Sequence, residues 1–290
     1  MKSGIVCVYG KANAGKSSLI NRILGFKLLP ISDKPQTTRD TVKAIYNDDE
    51  SQIVFVDTPG LFKPHKRFGE ILLRNAENAK YGVDIILYVI DLSQKFDATI
   101  ATKLSKLEEK IIVVFNKIDL VKYADVQSII STVKELLPNS EFIETSCIKN
   151  INIDKVVEAL KKYLPQKGKL FPGDIVLDRP KEYIISEMIR EKCMRLMKKE
   201  LPHCIYIQLD HLNEEDNILE VFATVIVEKE GEKGILIGKN GNMIKEISRL
   251  SETTILSYFG KKTICNLKVK VVDNWRSKDK FLRKFGFLND

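Results

Sequence analysis

Cysteine is scarce and poorly spaced for chemistry. Cys7, Cys147, Cys193, Cys204 and Cys265 are odd in number, and no two stand in a C-x-x-C pair. That excludes a disulfide framework or a zinc knuckle and points to a reducing, cytoplasmic setting, with the thiols buried as small apolar residues. The histidines are three, His65, His203 and His211, without metal-ligand spacing; His65 stands among Lys63, Lys66 and Arg67 as a solvated loop residue. No apolar run approaches the roughly 18 residues of a membrane span, and the run at 5–9 is too short for a signal-peptide core. Trp275 is the single tryptophan and is expected to pack the last helix. With 15 glycines and 9 prolines dispersed along the chain, collagen-like and low-complexity architectures are excluded.

What remains is a globular composition, 44% hydrophobic and 30% charged, in a chain long enough for two domains. The 47 Lys and Arg residues against 39 Asp and Glu give a net charge of +8. The excess is local. Residues 1–165 hold 24 basic and 20 acidic side chains, 166–232 hold 10 and 14, and 233–290 hold 13 and 5. The last fifth of the chain therefore carries a surplus equal to the whole net charge.

Short continuous apolar runs punctuate the first 165 residues. Ile5-Val6-Cys7-Val8-Tyr9 stops at Gly10, Ile53-Val54-Phe55-Val56 at Asp57, the run 85–90 at Asp91, and Ile111-Ile112-Val113-Val114-Phe115 at Asn116. Runs of this kind suit strands buried on both faces of a parallel sheet. Helical stretches lie between them: 98–109 capped by Asp97, 126–137 capped by Asp125, and 154–163. Residues 41–46 read as an antiparallel partner of the Ile53 strand. The expectation is an α/β fold, a mostly parallel doubly wound sheet with one antiparallel strand. Pro165, Gly168, Pro172 and Gly173 mark 166–174 as a linker. Beyond it, 175–290 reads as a smaller α+β domain: a helix at 181–200, strands at 205–209 and 219–228, a glycine-rich corner, a helix through Leu250, a strand at 267–272 and a basic terminal helix.

Gly10-Lys11-Ala12-Asn13-Ala14-Gly15-Lys16-Ser17 is a G-x-x-x-x-G-K-[ST] loop between the first strand and a helix through Ser18. Its backbone N–H groups and the helix N-terminus suit phosphates; Lys16 is expected at the β- and γ-phosphates and Ser17 on Mg²⁺. Asp57-Thr58-Pro59-Gly60 ends a buried strand, where Asp57 can hold Mg²⁺ through water and the Gly60 N–H can sense a γ-phosphate. Asn116-Lys117-Ile118-Asp119 ends another. The Asp119 carboxylate can accept from guanine N1–H and the 2-amino group together, which adenine cannot offer; Asn116 and Lys117 brace the loop and cover the base. Thr38, beside Arg39 in Pro35-Gln36-Thr37-Thr38-Arg39-Asp40, is assigned as the mobile-loop ligand of Mg²⁺, with Thr37 as the alternative. At Thr145-Ser146-Cys147 a backbone N–H can meet guanine O6. The site therefore calls for GTP or GDP with Mg²⁺, and Lys16, Thr38 and Gly60 carry hydrolysis. Leu61 stands where many GTPases place a water-orienting glutamine, so intrinsic turnover is expected at about 10⁻⁴–10⁻² s⁻¹. Switch-loop backbone, a monovalent cation such as K⁺, or a bound partner must complete the chemistry; Asn13 is a candidate K⁺ ligand or a loop-shaping turn residue.

In the second domain, Gly238-Lys239-Asn240-Gly241 precedes a helix containing Lys245. A glycine loop, a helix N-terminus and basic groups together can clamp a single-stranded nucleic-acid backbone, as KH modules do. Gly231-Glu232-Lys233-Gly234 has the same spacing but an acidic setting that repels phosphates. Ile235, Ile237, Ile244 and Ile247 are expected to be core beside the loop. Lys261, Lys262, Lys268, Lys270, Arg276, Lys278, Lys280, Arg283 and Lys284 extend the basic stretch, an RNA footprint whose binding should weaken as salt rises.

The order of these motifs, with Lys169-Leu170-Phe171-Pro172, the run Glu187-Met188-Ile189-Arg190-Glu191-Lys192 and Ile237 before the second glycine loop, resembles the Era family of bacterial GTPases along essentially the whole chain. The departures are Lys11-Ala12 where Arg-Pro is usual, Ala14 for Val, and Cys147 for Ala. The resemblance implies a P-loop GTPase domain followed by a type II KH domain. It further implies a GTP-switched factor for small (30S) ribosomal subunit assembly, bound near the 3′ end of 16S rRNA, with peripheral membrane association on the inner face of the membrane; a monomer is expected. Two other readings compete: an ATP-dependent phosphotransferase, which the guanine-reading Asp119 opposes, and an RNA-binding protein that holds GTP without turnover, which Leu61 keeps open.

Overall fold

The computed structural model describes residues 1–32, 34, 37–64, 66–197 and 201–288. Pro35, Gln36 and His65 of the sequence expectations lie outside the described residues. The backbone divides into two compact units.

The first unit contains β1 (Lys2–Tyr9), α1 (Lys16–Leu24), β2 (Val42–Asn47), β3 (Ser51–Asp57), the later part of α2 (Arg67–Asn78), β4 (Ile85–Asp91), α3 (Ala98–Leu104), β5 (Lys110–Asn116), α4 (Tyr123–Leu136), β6 (Glu141–Thr145) and α5 (Ile153–Tyr163). The sheet order is β2-β3-β1-β4-β5-β6, parallel throughout except for β2 against β3. The apolar runs are buried because both faces are covered. Cys7, Tyr9, Ile86, Tyr88, Val113 and Phe115 meet Ile100 and Leu104 of α3 and Val126, Ile130 and Val133 of α4.

Two helices differ from the sequence reading in their bounds. Asp97 caps α3 as expected, its carboxylate accepting from the Thr99 N–H at 3.1 Å, but the helix stops at Leu104. α4 begins at Tyr123, so Asp125 sits in its first turn, where its charge faces the helix dipole, and is not the cap.

Residues 166–178 run along this unit. Buried Gln52 accepts from the Leu170 and Phe171 N–H groups at 2.7 and 2.9 Å and donates to the Phe171 carbonyl at 2.8 Å. Leu177 bridges Ala44 of β2, and Asp178 exchanges hydrogen bonds with Lys43. Residues 176–178, read from the sequence as the start of the second domain, thus pair with the open edge strand β2, and the division between units falls between Asp178 and Arg179.

The second unit comprises residues 30–37, 64–71 and 179–290. Its elements are α6 (Lys181–Leu196), α7 (Leu201–Cys204), β7 (Tyr206–Glu215), β8 (Ile218–Val227), α8 (Glu230–Ile237), α9 (Asn242–Phe259), β9 (Lys262–Val271) and α10 (Asp279–Lys284). β8 lies between antiparallel β7 and parallel β9, and α6 and α9 pack on one face. The sequence missed α8. Gly231 to Gly234 form no turn; Glu232 accepts from the Glu228 and Lys229 N–H groups at 2.8 and 3.0 Å and starts a helix there. β7 also runs past its expected end, a bulge beside Leu209 and His211 letting it continue to Glu215. Trp275 is fully buried, its ring against Phe68, Tyr206, Phe285 and Phe287 and its indole N–H on the Cys204 carbonyl at 2.8 Å.

Candidate functional site

The glycine loop joins β1 to α1. Gly15 holds φ +96°, and a Cβ there would lie 2.2 Å from Nδ2 of Asn116, so only glycine fits. Asn116 ends β5 and is the hub of the site. Its Nδ2 donates to the Ala14 carbonyl at 2.9 Å, and its Oδ1 accepts from the Thr145 hydroxyl at 3.2 Å and the Cys147 N–H at 3.4 Å. One buried amide thus ties the glycine loop to the ends of β5 and β6. Lys16 is buried, with Nζ on the Gly10 and Lys11 carbonyls at 3.2 and 2.9 Å. Burial lowers its pKa to about 8, with Asp57 pulling the other way. Gly10, Asn13 and Ser18 lie in or beside the same loop, with Asn13 at φ +63°.

Ser17, Thr38 and Asp57 come together. Oδ2 of Asp57 accepts from the Ser17 hydroxyl at 2.7 Å and the Thr38 hydroxyl at 3.1 Å, and the two hydroxyls are 3.0 Å apart. Oδ1 of Asp57 is buried with no hydrogen-bond partner, and burial pushes the carboxyl up despite Ser17, Lys16 and Thr38. Three hard oxygens around a buried acid short of one partner fit Mg²⁺. Thr37 is not among them; its hydroxyl donates to the Lys34 carbonyl at 2.8 Å. Beyond Gly60, Leu61 pairs its backbone with the loop: its N–H donates to the Gly10 carbonyl, and its carbonyl accepts from the Ala12 N–H, both at 3.1 Å. Its side chain packs against the core beside α3 and α4, so nothing at this position can orient water.

After β5, Lys117 adopts φ +68°, and no hydrogen bond occupies the Asp119 carboxylate among the described residues. The sequence reading missed Asp91. Its carboxylate, buried at the end of β4 opposite Asn116, takes the Lys117 ammonium at 2.5 Å and the Ser93 hydroxyl at 2.6 Å. The signal was available: like Asp57 and Asn116, it is a polar residue closing a buried strand. Ser146 follows β6, its hydroxyl accepting from the Lys149 N–H at 3.1 Å. Burial pushes the Cys147 thiol up to about 11, so it is no reactive thiolate.

In the second unit, Gly238 (φ +71°) would place a Cβ 2.7 Å from that of Met243, so the loop Gly238-Lys239-Asn240-Gly241 closes tightly on the start of α9. Ile247 is buried as expected, but Ile235 is 56% exposed and presents an apolar surface beside the loop. Charge pairing divides the basic residues. Lys261 and Lys181 share Glu214, Arg249 pairs with Glu246, and Arg276 with Lys66 clasps buried Glu228. Burial pushes Glu228 up, but Arg276 and Lys66 outweigh it and hold the carboxyl at about 2. Lys261 and Arg276 are thus neutralised internally. Lys239, Lys245, Lys262, Lys268 and Lys270 carry no ion pair among the described residues, and the last three project from the exposed side of β9.

The G-x-x-x-x-G-K-S loop between β1 and α1, the Ser17–Thr38–Asp57 cluster and the Asn-Lys-x-Asp turn after β5, followed in the chain by a glycine-loop module of α-β-β-α-α-β order, define a P-loop GTPase fused to a KH domain. Sequence comparison agrees. Residues 5–117 match the family described as 50S ribosome-binding GTPase, and 200–276 match the KH domain. GTPase Era of Staphylococcus haemolyticus is 35% identical over 293 residues, covering 100% of this chain and 98% of its own. The chain belongs to the Era family. A crystal structure of Era in complex with MgGDPNP and nucleotides 1506–1542 of 16S ribosomal RNA superposes with a TM-score of 0.94, at 34% identity over 100% of both chains. A single-residue variant of Aquifex aeolicus Era bound to GDP·AlF4⁻ matches with the same values.

Proposed function

We propose that the protein is a GTP-driven switch that binds the 3′ end of 16S rRNA through Gly238, Lys239, Asn240, Gly241 and Lys245 and serves assembly of the 30S subunit. The observation that carries the nucleotide half is the convergence of Ser17 and Thr38 on Asp57, whose second oxygen lacks a partner. These three residues would hold Mg²⁺, which when bound screens the phosphate charge. Gly10, Asn13, Ala14, Gly15, Lys16 and Ser18 take the phosphates; Asn116, Lys117, Asp119 and the turn that Ser146 and Cys147 open take the base. Lys16 and the Gly60 N–H are poised for charge developing on the γ-phosphate. The RNA half draws support from the KH match, the exposed Ile235 and the unpaired lysines around the second glycine loop, and from the rRNA that the related Era structure holds.

With Leu61 unable to orient water, intrinsic hydrolysis is slow. A K⁺ ion on Asn13 or contact with the subunit supplies the missing stabilisation. We place the protein in the cytoplasm with peripheral contact at the membrane, where the free lysines would meet anionic headgroups; no helix among the described residues is long and apolar enough to cross a membrane. Single-turnover GTP hydrolysis, measured with and without the 16S 3′ segment and in K⁺ against Na⁺, tests the reading. Acceleration by RNA or K⁺ is expected. No Mg²⁺-dependent phosphate release under any of these conditions would leave a protein that holds GTP without turnover.

A further inference from the structure

One cation outside every motif reaches the guanine-reading turn. Arg22 sits in the last turn of α1. Its Nε donates to the Cys147 carbonyl at 2.7 Å, and Nη2 lies 3.5 Å from the Ile148 carbonyl. The rest of the turn is also pinned. The Cys147 N–H goes to Asn116 Oδ1, the Lys149 N–H to Ser146 Oγ, and Ser146 and Ile151 exchange backbone hydrogen bonds at 3.3 and 3.0 Å. The Ile148 N–H has no acceptor among the described residues. It shares a peptide plane with the Cys147 carbonyl. In a trans peptide those two groups point in opposite directions, so fixing the carbonyl aims the N–H. Arg22, Asp119 and Lys117 all act electrostatically on the Cys147 thiol, which gathers them around one turn.

We propose that Arg22 is a positioning residue for guanine recognition. It clamps the 147–148 peptide so that this turn presents an N–H to guanine O6, while Asp119 takes the N1 and 2-amino edge. Arg22 does not itself touch the nucleotide. The inference rests on the base-reading assignment made above, and the nucleotide edge separates the two. Inosine diphosphate keeps O6 and the N1–H and lacks only the 2-amino group; 2-aminopurine riboside diphosphate keeps the amino group and lacks both O6 and the N1–H.

Dissociation constants of GDP and both analogues are measured on the full chain, native and as Arg22→Ala and Arg22→Lys. Arg22→Ala is expected to weaken GDP and inosine diphosphate each by about ten-fold, the scale of one well-placed hydrogen bond, and to leave the 2-aminopurine nucleotide within about two-fold. Arg22→Lys, able to hold one carbonyl, should recover part of the loss. Equal losses on all three nucleotides, or an unchanged affinity for GDP, would overturn the role of Arg22. Native protein that binds the 2-aminopurine nucleotide as tightly as GDP would instead refute the base-reading assignment itself, at O6 and at N1 alike, and the role of Arg22 with it.

Discussion

Replacing Gly15 by alanine perturbs the site at its narrowest point. The new Cβ lands 2.2 Å from Asn116 Nδ2 on a backbone at φ +96°. The left-handed conformation alone costs a non-glycine residue about 1–2 kcal/mol. Relieving the collision means swinging the Asn116 amide away from the Ala14 carbonyl, the Thr145 hydroxyl and the Cys147 N–H. A buried carbonyl stripped of its donor costs about 1–3 kcal/mol more. The variant should therefore lose about 2–4 kcal/mol of stability and bind GDP about 10²-fold or more weakly, since both the phosphate loop and the base-reading turns lose their tie. Thermal unfolding and GDP titration measure the two effects. Asn116→Ala removes the obstacle along with the bonds, so the Gly15→Ala, Asn116→Ala pair should cost about 1–2 kcal/mol less than the two single changes summed. Additive effects, or GDP binding by Gly15→Ala within a few-fold of native, would refute the claim that Gly15 acts through Asn116.

Three further outcomes follow from the geometry. Asp119→Asn presents one acceptor and one donor to the base, so GDP affinity should fall by about 10²–10³ while xanthosine diphosphate gains, as competition binding would show; unchanged guanine preference would refute the role of Asp119. Gly238→Asp with Gly241→Asp places two carboxylates in the second glycine loop. RNA affinity should drop at least about ten-fold with GDP binding intact, and RNA binding that survives would put the clamp elsewhere. Glu228 ordinarily titrates near 4.5 and is held at about 2 in the fold, so its stabilisation is whole above pH 4.5 and is lost as pH falls toward 2. The contribution is about 2–3 kcal/mol; in acid titration Glu228→Gln should start less stable and flatten the native curve between those values.

The α/β layout was legible because its strands are buried on both faces, so continuous apolar runs such as 85–90 mark them without ambiguity. The polar residues that end those strands, Asp57 and Asn116 among them, mark the candidate site. Asp91 obeys the same rule, but outside a recognised motif it reads as an ordinary strand end, and only its contact with Lys117 sets it apart. Arg22 left no trace, since its partners are carbonyls 125 and 126 residues away, and backbone acceptors have no side-chain signature. The glycines of α8 obscured a helix whose start is fixed by Glu232. Charge counting found the basic end of the chain but not its neutralised part: Lys261 and Arg276 are answered by Glu214 and Glu228, residues of the preceding acidic stretch.

On the proposed function, one chain couples a guanine-nucleotide site to a single-stranded RNA site. Crosslinking the full-length protein to total cellular RNA, with a non-hydrolysable GTP analogue and with GDP, and mapping the crosslinked nucleotides tests it most directly. Crosslinks are expected to concentrate at the 3′ end of 16S rRNA and to change with the bound nucleotide. Crosslinks scattered over unrelated RNAs, or identical in both nucleotide states, would contradict it.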